Sequence, residues 1–156
     1  MTGQRLTTAN ARAHAVLEGL LMDLLEASVA GRIGDARASH RALVGAFQEH
    51  LAAEEAHTLP LLRELGGPLL KLATIVDGDH RILHRSLDAV GALLAEIDEE
   101  GNAAARRAVL QRIEVFSKLK TVLEHHGVRE QEDIYPPLDL RFPELPWADA
   151  LVPGGP

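Results

Sequence analysis

Two stretches of this chain share one pattern, and the helices that carry them decide the fold. Residues 50–62 have the sequence HLAAEEAHTLPLL, and they align without a gap on residues 126–138, HGVREQEDIYPPL. Both stretches have a glutamate four residues after the histidine and a proline six residues after the glutamate. Because residues four apart lie on one face of an α-helix, each stretch directs an imidazole and a carboxylate the same way. Two such faces turned toward each other would form a metal site.

The composition bounds the class of protein. The chain has 156 residues, 46% of them hydrophobic, which fits one globular domain with a sizeable core. The formal charge of −7 opposes binding to nucleic acid or anionic membranes, so neither is an expected partner. The chain has no cysteine, so any metal must be held by His, Asp or Glu. No long apolar run follows Met1, so we expect a cytoplasmic protein without a signal peptide or membrane span.

Hydrophobic periodicity predicts an all-α fold. Apolar residues recur at three- and four-residue spacing through four stretches, and none of them alternates as a strand would. Short connections between four helices favour an up-down-up-down antiparallel four-helix bundle. In that topology the second and fourth helices run the same way, so their repeated motifs can lie at the same height. The predicted helices cover residues 8–30, 35–59, 68–98 and 103–135.

Prolines set the predicted ends of two helices. Pro60 should end or kink the second helix, with residues 61–65 adding a further turn, and Pro136 should end the fourth. From Pro136 onward the chain is rich in proline and glycine, which predicts an extended tail. We divide the chain into a bundle domain, residues 1–138, and a tail, residues 139–156. Three apolar residues could pin this tail to the bundle or to a partner subunit: Leu145, Trp147 and Leu151.

The core-facing stripes of the four helices carry an unusual set of polar residues. Seven metal-ligating side chains fall among leucine and valine seams rather than on the solvent faces. Without ligands they would cost several kcal/mol of desolvation, so a bundle selected only for stability should carry leucine there. His125 shares its stripe with Lys118 and Glu132 and should face solvent. The predicted ligands are His14, His50, Glu54, His80, His84, His126 and Glu130.

The number of these ligands favours two metal ions. Five imidazoles and two carboxylates suit a pair of five- or six-coordinate ions with an open position. Zinc usually takes four ligands in a closed tetrahedral site, and magnesium and calcium prefer oxygen. A mixed imidazole and carboxylate set best suits iron, with manganese or zinc as alternatives. No Glu-x-x-His pair occurs among these ligands, which argues against a ferritin-like di-iron site.

The ligand pattern resembles the hemerythrin-like family, in its HHE cation-binding branch. The shared elements are a lone histidine on the first helix, His-x-x-x-Glu on the second, His-x-x-x-His on the third and His-x-x-x-Glu on the fourth. The resemblance covers residues of about 8–138. It implies an oxo- or hydroxo-bridged di-iron centre in which Glu54 and Glu130 bridge the irons. It also implies that one iron is held by His80, His84 and His126, and the other by His14 and His50.

The resemblance carries an expected function as well. The iron with fewer histidines would keep an open position for dioxygen, nitric oxide or peroxide, so the chain is expected to bind or sense oxygen, nitric oxide or iron. An enzyme that decomposes peroxide or reduces oxygen at this centre is the alternative, and a metal-free interaction bundle is a third hypothesis. Oxygen-carrying hemerythrins have an aspartate five residues after the last helix's histidine, whereas Glu130 follows His126 by four, which argues against an oxygen carrier. A sensor would pass its signal through a homodimer or to a separate signalling partner.

Four further residues could act beside or behind the ligands, although no catalytic residue is assigned. Glu18 follows His14 by four residues and could hold an imidazole N–H, or it could be a charge near the bundle end. His57 and Asp133 occupy matching positions in the two motif copies, where they could orient ligands or lie at a solvated end. Tyr135 could donate a hydrogen bond or serve as a redox residue, or it could simply pack.

Overall fold

All the regular secondary structure in the described part of the chain is helical. The structure is a computed structural model that describes residues 5–98 and 102–154, and it has no β-strand within them. None of the helices in these ranges combines the length and the apolarity that crossing a membrane requires. The α-helices are α1 (Leu6–Val29), α2 (Ile33–Ala53), α3 (Leu59–Leu65), α4 (Gly67–Glu96), α5 (Asn102–Gln111), α6 (Ile113–Arg129) and α7 (Tyr135–Arg141).

The repeated motif forms the same local structure twice. A π-helical turn, Glu54–Thr58, joins α2 to α3, and another, Glu130–Ile134, joins α6 to α7. At the end of each turn a backbone N–H donates to the carbonyl five residues back, from Leu59 to Glu54 and from Tyr135 to Glu130. The proline that follows has no N–H and would clash with the carbonyl four residues before it, so the wider turn lets the helix continue.

The segments that follow the two π turns confirm one prediction about the prolines and contradict another. Residues 61–65 do add a helical turn after Pro60. The predicted end at Pro136 is wrong, because α7 runs on to Arg141. The expected continuous helix over residues 103–135 is also wrong, because Arg112 leaves helical geometry (φ −124°, ψ 27°) and separates α5 from α6.

The long helices pack side by side in sequence order. Gly31 has a φ of 75° in the turn between α1 and α2, a conformation that favours glycine. A Cβ there would also lie 2.2 Å from the carbonyl oxygen of Asn102, so the turn needs glycine on steric grounds too. From this turn, α1 packs against α2, α2 against α4, and α4 against α6, while α5 and α6 contact α1.

Two apolar clusters fill the interior. The large core lies among α1, α2, α4, α5 and α6 and contains Phe47 and Phe116. The small core lies among the ends of α1 and α4, α3, α7 and the chain that follows α7, and it contains Leu62, Tyr135 and Leu151. Most of the hydrophobic stabilisation comes from these two clusters, since their side chains are almost completely removed from water.

A layer of polar side chains separates the two cores. On α1, Ala9 belongs to the small core and Leu17 to the large core, and His14 lies between them. On α4, Val76 and Leu83 flank His80 in the same way. On the two motif copies, the histidines and glutamates are the residues that lie between the two cores. We call the six buried side chains the polar layer: His14, His50, Glu54, His80, His126 and Glu130.

The chain after α7 packs onto the helices rather than extending away from them. Residues Ala148–Leu151 form a 3₁₀ turn whose first and last side chains are buried in the small core. Leu145 and Trp147 pack against the same core. This confirms the expectation that apolar residues hold the segment after α7 against the chain's own helices. The extended conformation predicted from Pro136 onward is wrong over α7 and over the 3₁₀ turn.

Asp139, on α7, caps the start of α1. Its carboxylate accepts hydrogen bonds from the backbone N–H groups of Leu6 (2.7 Å) and Thr7 (3.1 Å), and from the Thr7 hydroxyl (2.6 Å). A negative charge at a helix N-terminus is stabilising because the first backbone N–H groups have no partner within the helix. This contact joins the beginning of the described chain to the segment behind the repeated motif.

Candidate metal centre

Six of the seven predicted ligands meet in the polar layer. Two groups of four side chains have ligand atoms that all lie within 4.8 Å of one another, and both groups contain His126 and Glu130. His14 and His50 complete one group, and Glu54 and His80 complete the other. The polar layer therefore contains two overlapping groups of side chains, each of which could hold a metal ion.

Glu130 lies at the centre of this arrangement. Its Oε2 is 2.8 Å from Nε2 of His14 and 3.8 Å from Nε2 of His50. Its Oε1 is 2.8 Å from Nε2 of His126, one helical turn earlier on the same helix. The two oxygens of this carboxylate thus face two different sets of imidazoles.

Glu54 has a different set of partners. The hydroxyl of Tyr135 donates a hydrogen bond to its Oε1 (2.5 Å), and Nε2 of His80 donates to its Oε2 (3.1 Å). The Nε2 atoms of His50 and His126 are each 3.7 Å from the same Oε2. One oxygen of Glu54 therefore faces the imidazoles, while the other is held by the phenol.

Several polar atoms of the layer have no hydrogen-bond partner. Nε2 of His50, Nε2 of His126 and Oε1 of Glu130 are buried without one. His126 Nε2 and Glu130 Oε1 are 2.8 Å apart without hydrogen-bond geometry. Neighbouring ligands of one ion with bonds of about 2.1 Å are separated by about 3 Å, so this spacing suits two ligands of a single ion. Buried polar atoms without a partner are otherwise costly, and the residues therefore fit a metal.

Groups behind the imidazoles fix which nitrogen faces the layer. Nδ1 of His50 donates to the backbone carbonyl of Leu151 at 2.8 Å, which leaves Nε2 as the nitrogen that faces Glu54 and Glu130. Such a hydrogen bond on the far side of a ring is usual for metal-binding histidines. Nδ1 of His80 lies 3.6 Å from the Glu55 carboxylate, which orients that ring through charge.

Burial and charge oppose each other in the layer. Burial disfavours the protonated form of His126, but the carboxylates of Glu130 and Glu54 outweigh it and raise its pKa to about 10. The same balance, with Glu54 as the strongest carboxylate, raises the pKa of His50. Burial and mutual repulsion work against ionisation of Glu54 and Glu130, yet the imidazoles lower both pKa values, that of Glu130 strongly. Both carboxylates are therefore ionised near neutral pH and suited to bind cations.

His84 does not reach the polar layer. Its side chain is exposed and lies beside Arg81 and Arg85 on the outer surface of α4. The buried stripe of α4 passes from His80 to Leu83 and Leu87, because alternating steps of three and four residues keep it facing the core. Position 84 is about 100° around the helix from Leu83. The predicted inward orientation of His84 is wrong for this reason.

The four auxiliary residues have separate surroundings. Tyr135 is completely buried and contacts Glu54, and burial with the nearby carboxylate of Glu54 raises its pKa well above the usual range. Glu18 is exposed beside His14, and Asp133 is exposed near α4. His57 stacks on Trp147 with ring centroids 5.0 Å apart, away from the layer.

Sequence reasoning missed several residues that shape the layer. A Cβ on Gly127 would lie 2.6 Å from Nδ1 of His14, so glycine beside His126 lets α1 and α6 approach. Asp79, on α4, lies 3.8 Å from Nδ1 of His126 and pairs with Arg129. The position of Asp79 directly before a ligand was the available signal. The carbonyl of Leu151 is a backbone group and has no signal in the sequence.

Comparisons of the chain with models of known protein families, with curated proteins and with solved structures find no match. The interpretation of the polar layer therefore depends on its own geometry.

Proposed function

We propose that the polar layer holds a pair of iron ions and that the protein binds or senses dioxygen, nitric oxide or iron there, as a hemerythrin-like protein of the HHE type. The observation that carries this proposal is the pair of four-residue ligand groups that share His126 and Glu130. A single ion would need only one of these groups. Manganese or zinc could take the same ligands, since imidazole and carboxylate suit all three metals.

The ligands divide between the two ions according to the contacts of the carboxylates. His14 and His50 would serve one ion, and His80 and His126 the other. Glu130 is the bridging carboxylate of this proposal, because its two oxygens face His14 and His126 respectively. Four imidazoles and two carboxylates are fewer than two six-coordinate ions require, so positions remain for a small ligand.

The helical arrangement supports the same proposal. We infer an antiparallel four-helix bundle whose members are α1, the α2–α3 unit, α4 and the α5–α7 unit. Each of these contributes at least one side chain to the polar layer. A metal pair at this height would bind the four members together between the two apolar cores.

Bound iron would supply reversible binding or reduction of a small molecule such as dioxygen, and the chain's own residues would set the conditions for it. The two apolar cores exclude water above and below the layer. Leu151 and Glu55 hold the rings of His50 and His80 in place from behind.

An enzyme that decomposes peroxide or reduces oxygen is a second candidate, and one contact favours it. The Tyr135 hydroxyl donates to Glu54, so a phenolic proton lies one hydrogen bond from a proposed metal ligand. Such a group could supply a proton or an electron during turnover. A metal-free interaction bundle is the third candidate, and the buried unpaired atoms of His50, His126 and Glu130 argue against it.

The test is elemental analysis with an optical spectrum of the protein purified in air, then after reduction and exposure to oxygen. We expect about two irons per chain, because the layer has two adjoining ligand groups, with charge-transfer bands in the visible spectrum. A stable, reversible spectrum would support binding or sensing, and rapid consumption of peroxide would support the enzyme. A chain that takes up no metal would contradict both.

Two matched pairs of histidines provide the controls. His80→Ala and His84→Ala remove neighbours on one helix, one buried in the layer and one exposed. His126→Ala and His125→Ala do the same on α6. We expect metal loss only in the variants of the two buried residues. Equal metal loss in the variants of the exposed residues, His84→Ala and His125→Ala, would show that the metal binds elsewhere.

A further inference from the structure

A cleft between α1 and α6 leads to one side of the polar layer. It has a volume of about 320 Å³ and is lined by residues of these two helices and of the π turn after α6. Among the six residues of the layer, His14 is the most exposed, at 7%, whereas the other five are at 2% or less. His14 also lines this cleft. The cleft is therefore where the layer comes nearest to solvent.

Two buried atoms on the cleft wall have no partner. The side chain of Asn10 is 1% exposed, and its Nδ2 donates to Gln131 at 3.3 Å, but its Oδ1 accepts no hydrogen bond. Nδ1 of His14 is likewise buried and unpaired. Because Nε2 of His14 donates to the carboxylate of Glu130, Nδ1 carries a lone pair. An amide oxygen and an imidazole lone pair are both ligands for cations, and here both belong to residues that line one cleft.

A glycine forms the opposite wall of the cleft at this point. Gly127 faces the ring of His14, and a Cβ at that position would come within 2.6 Å of Nδ1. Any larger residue at position 127 would displace the ring of His14. The unpaired Nδ1 thus lies at a place where the wall has no side chain.

The carboxylates that line the cleft give it a net negative charge. Three exposed glutamates line it, Glu18, Glu124 and Glu132, and no lysine or arginine does. Glu124 also pairs with Lys120 at the rim, so Glu18 and Glu132 supply most of the uncompensated charge. On α4, by contrast, the surface beyond His80 carries arginines, which would repel a cation. A negative funnel of this kind raises the local concentration of cations and their rate of arrival.

We propose that a hydrated divalent cation enters the polar layer through this cleft, guided by Glu18 and Glu132 and bound first by Asn10 Oδ1 and His14 Nδ1. The inference rests on the proposed function, because it supplies the route by which the metal pair would be loaded. Asn10 and Glu18 are not members of either ligand group, so they affect arrival of the ion rather than its final coordination.

The rate of metal uptake tests this route. The full chain is stripped of metal with a chelator and mixed with Co²⁺, and uptake is followed by visible absorption, with final content from elemental analysis. The test variant is Glu18→Gln with Glu132→Gln, and the control is Glu64→Gln with Glu96→Gln, which makes the same change of charge at exposed positions outside the cleft. Each protein is measured at low salt and at about 0.5 M salt, where charges are strongly screened.

We expect the cleft variant to load about three- to tenfold more slowly at low salt, with the difference shrinking at high salt, and to reach the same final content. Ala15→Trp, at an exposed position on the cleft wall, should slow uptake at both salt concentrations because it obstructs the route. The control should match the unmodified chain.

Two results would overturn the route and leave the proposed function intact. One is equal uptake rates in the cleft variant, Ala15→Trp and the control. The other is a lower final content in the Glu18 and Glu132 variant, which would make these residues ligands rather than guides. An unmodified chain that takes up no Co²⁺ would overturn the proposed function together with the route.

Discussion

Glu54 and Glu130 occupy equivalent positions in the two copies of the motif, and their partners differ. Each begins a π turn and lies six residues before a proline. Glu54 accepts a hydrogen bond from Tyr135, whereas Glu130 divides its two oxygens between His14 and His126. The position in the first copy that matches Tyr135 is Leu59, so the second glutamate has no equivalent phenol behind it.

This difference separates what the repeat determines from what its neighbours determine. The spacing of histidine, glutamate and proline gives both copies the same backbone and the same height in the fold. The neighbouring helices then make the copies unequal, because Glu130 belongs to both ligand groups and Glu54 to one. The glutamate of the second copy therefore lies between the two proposed metal ions. The glutamate of the first copy serves one ion and is hydrogen-bonded to Tyr135.

Replacing each glutamate in turn should have the largest effect and should separate the two copies. We expect Glu130→Ala to abolish metal binding, because it removes a ligand from both groups. Glu54→Ala should leave about one ion per chain, in the group formed by His14, His50, His126 and Glu130. Elemental analysis measures the content, with circular dichroism to confirm folding and His125→Ala as the control. Equal metal content in the two glutamate variants would remove the distinction between the copies.

The stability of the metal-free protein should fall at both acid and alkaline pH. The raised pKa of His126, from 6.5 to about 10, adds stability below pH 6.5 that is lost as the pH rises through about 10. The pKa of His50 is raised in the same direction. The lowered pKa values of Glu54 and Glu130 add stability above pH 4.5 that is lost as the pH falls. The free energy of unfolding should therefore peak between pH 4.5 and 6.5 and fall by a few kcal/mol on either side.

Bound metal should prevent the loss of stability at alkaline pH. Histidines bind metal without their proton, so a loaded chain no longer depends on protonated His50 and His126. Denaturant titrations at several pH values, with and without metal, provide the measurement. An identical loss of stability at alkaline pH in both forms would mean that the metal does not bind these imidazoles.

Removing residues 143–156 should lower the metal affinity of the first copy of the motif, through His50. The truncation removes the Leu151 carbonyl behind His50 and part of the small core. Loss of such a hydrogen bond to a metal-binding histidine lowers metal affinity by about tenfold or more. A competition titration with a chelator measures the affinity. To separate this effect from lost packing, Leu151→Ala shortens the buried side chain and keeps the carbonyl, so it should lower thermal stability with a smaller change in affinity.

Tyr135→Phe should have a smaller effect than the changes above. It removes the hydrogen bond to Glu54 and leaves the aromatic ring in the small core, which should lower the free energy of unfolding by about 2 kcal/mol. Thr58→Val, which removes only the 3.4 Å contact on the other side of the hydroxyl, should cost less. Metal content should stay the same in both variants. Peroxide turnover that disappears in Tyr135→Phe would favour the enzyme over the binding protein.

Most of the layer could be predicted from the sequence because helical periodicity places a side chain on a face. His50 with Glu54 and His126 with Glu130 follow from four-residue spacing within a regular apolar stripe. His84 shows the limit of this reasoning, since spacing alone does not say whether a stripe continues three or four residues after His80. Only the packing of α4 against its neighbours decides that Leu83 faces the core.

The path of the chain around the prolines could not be predicted from local rules. Pro136 ends a helix by propensity, yet the π turn before it lets α7 form and brings Asp139 to the start of α1. Likewise, the Leu151 carbonyl reaches His50 across 101 residues of sequence. Such long-range contacts have no local pattern, because they are selected by tertiary packing.

The most direct test of the metal pair is anomalous diffraction from crystals of the full chain grown with Fe²⁺, with data collected at the iron absorption edge. The account predicts two peaks about 3.5–4 Å apart in the polar layer, with Glu130 between them. A single peak at the outer surface, or no peak within reach of His126 and Glu130, would contradict it.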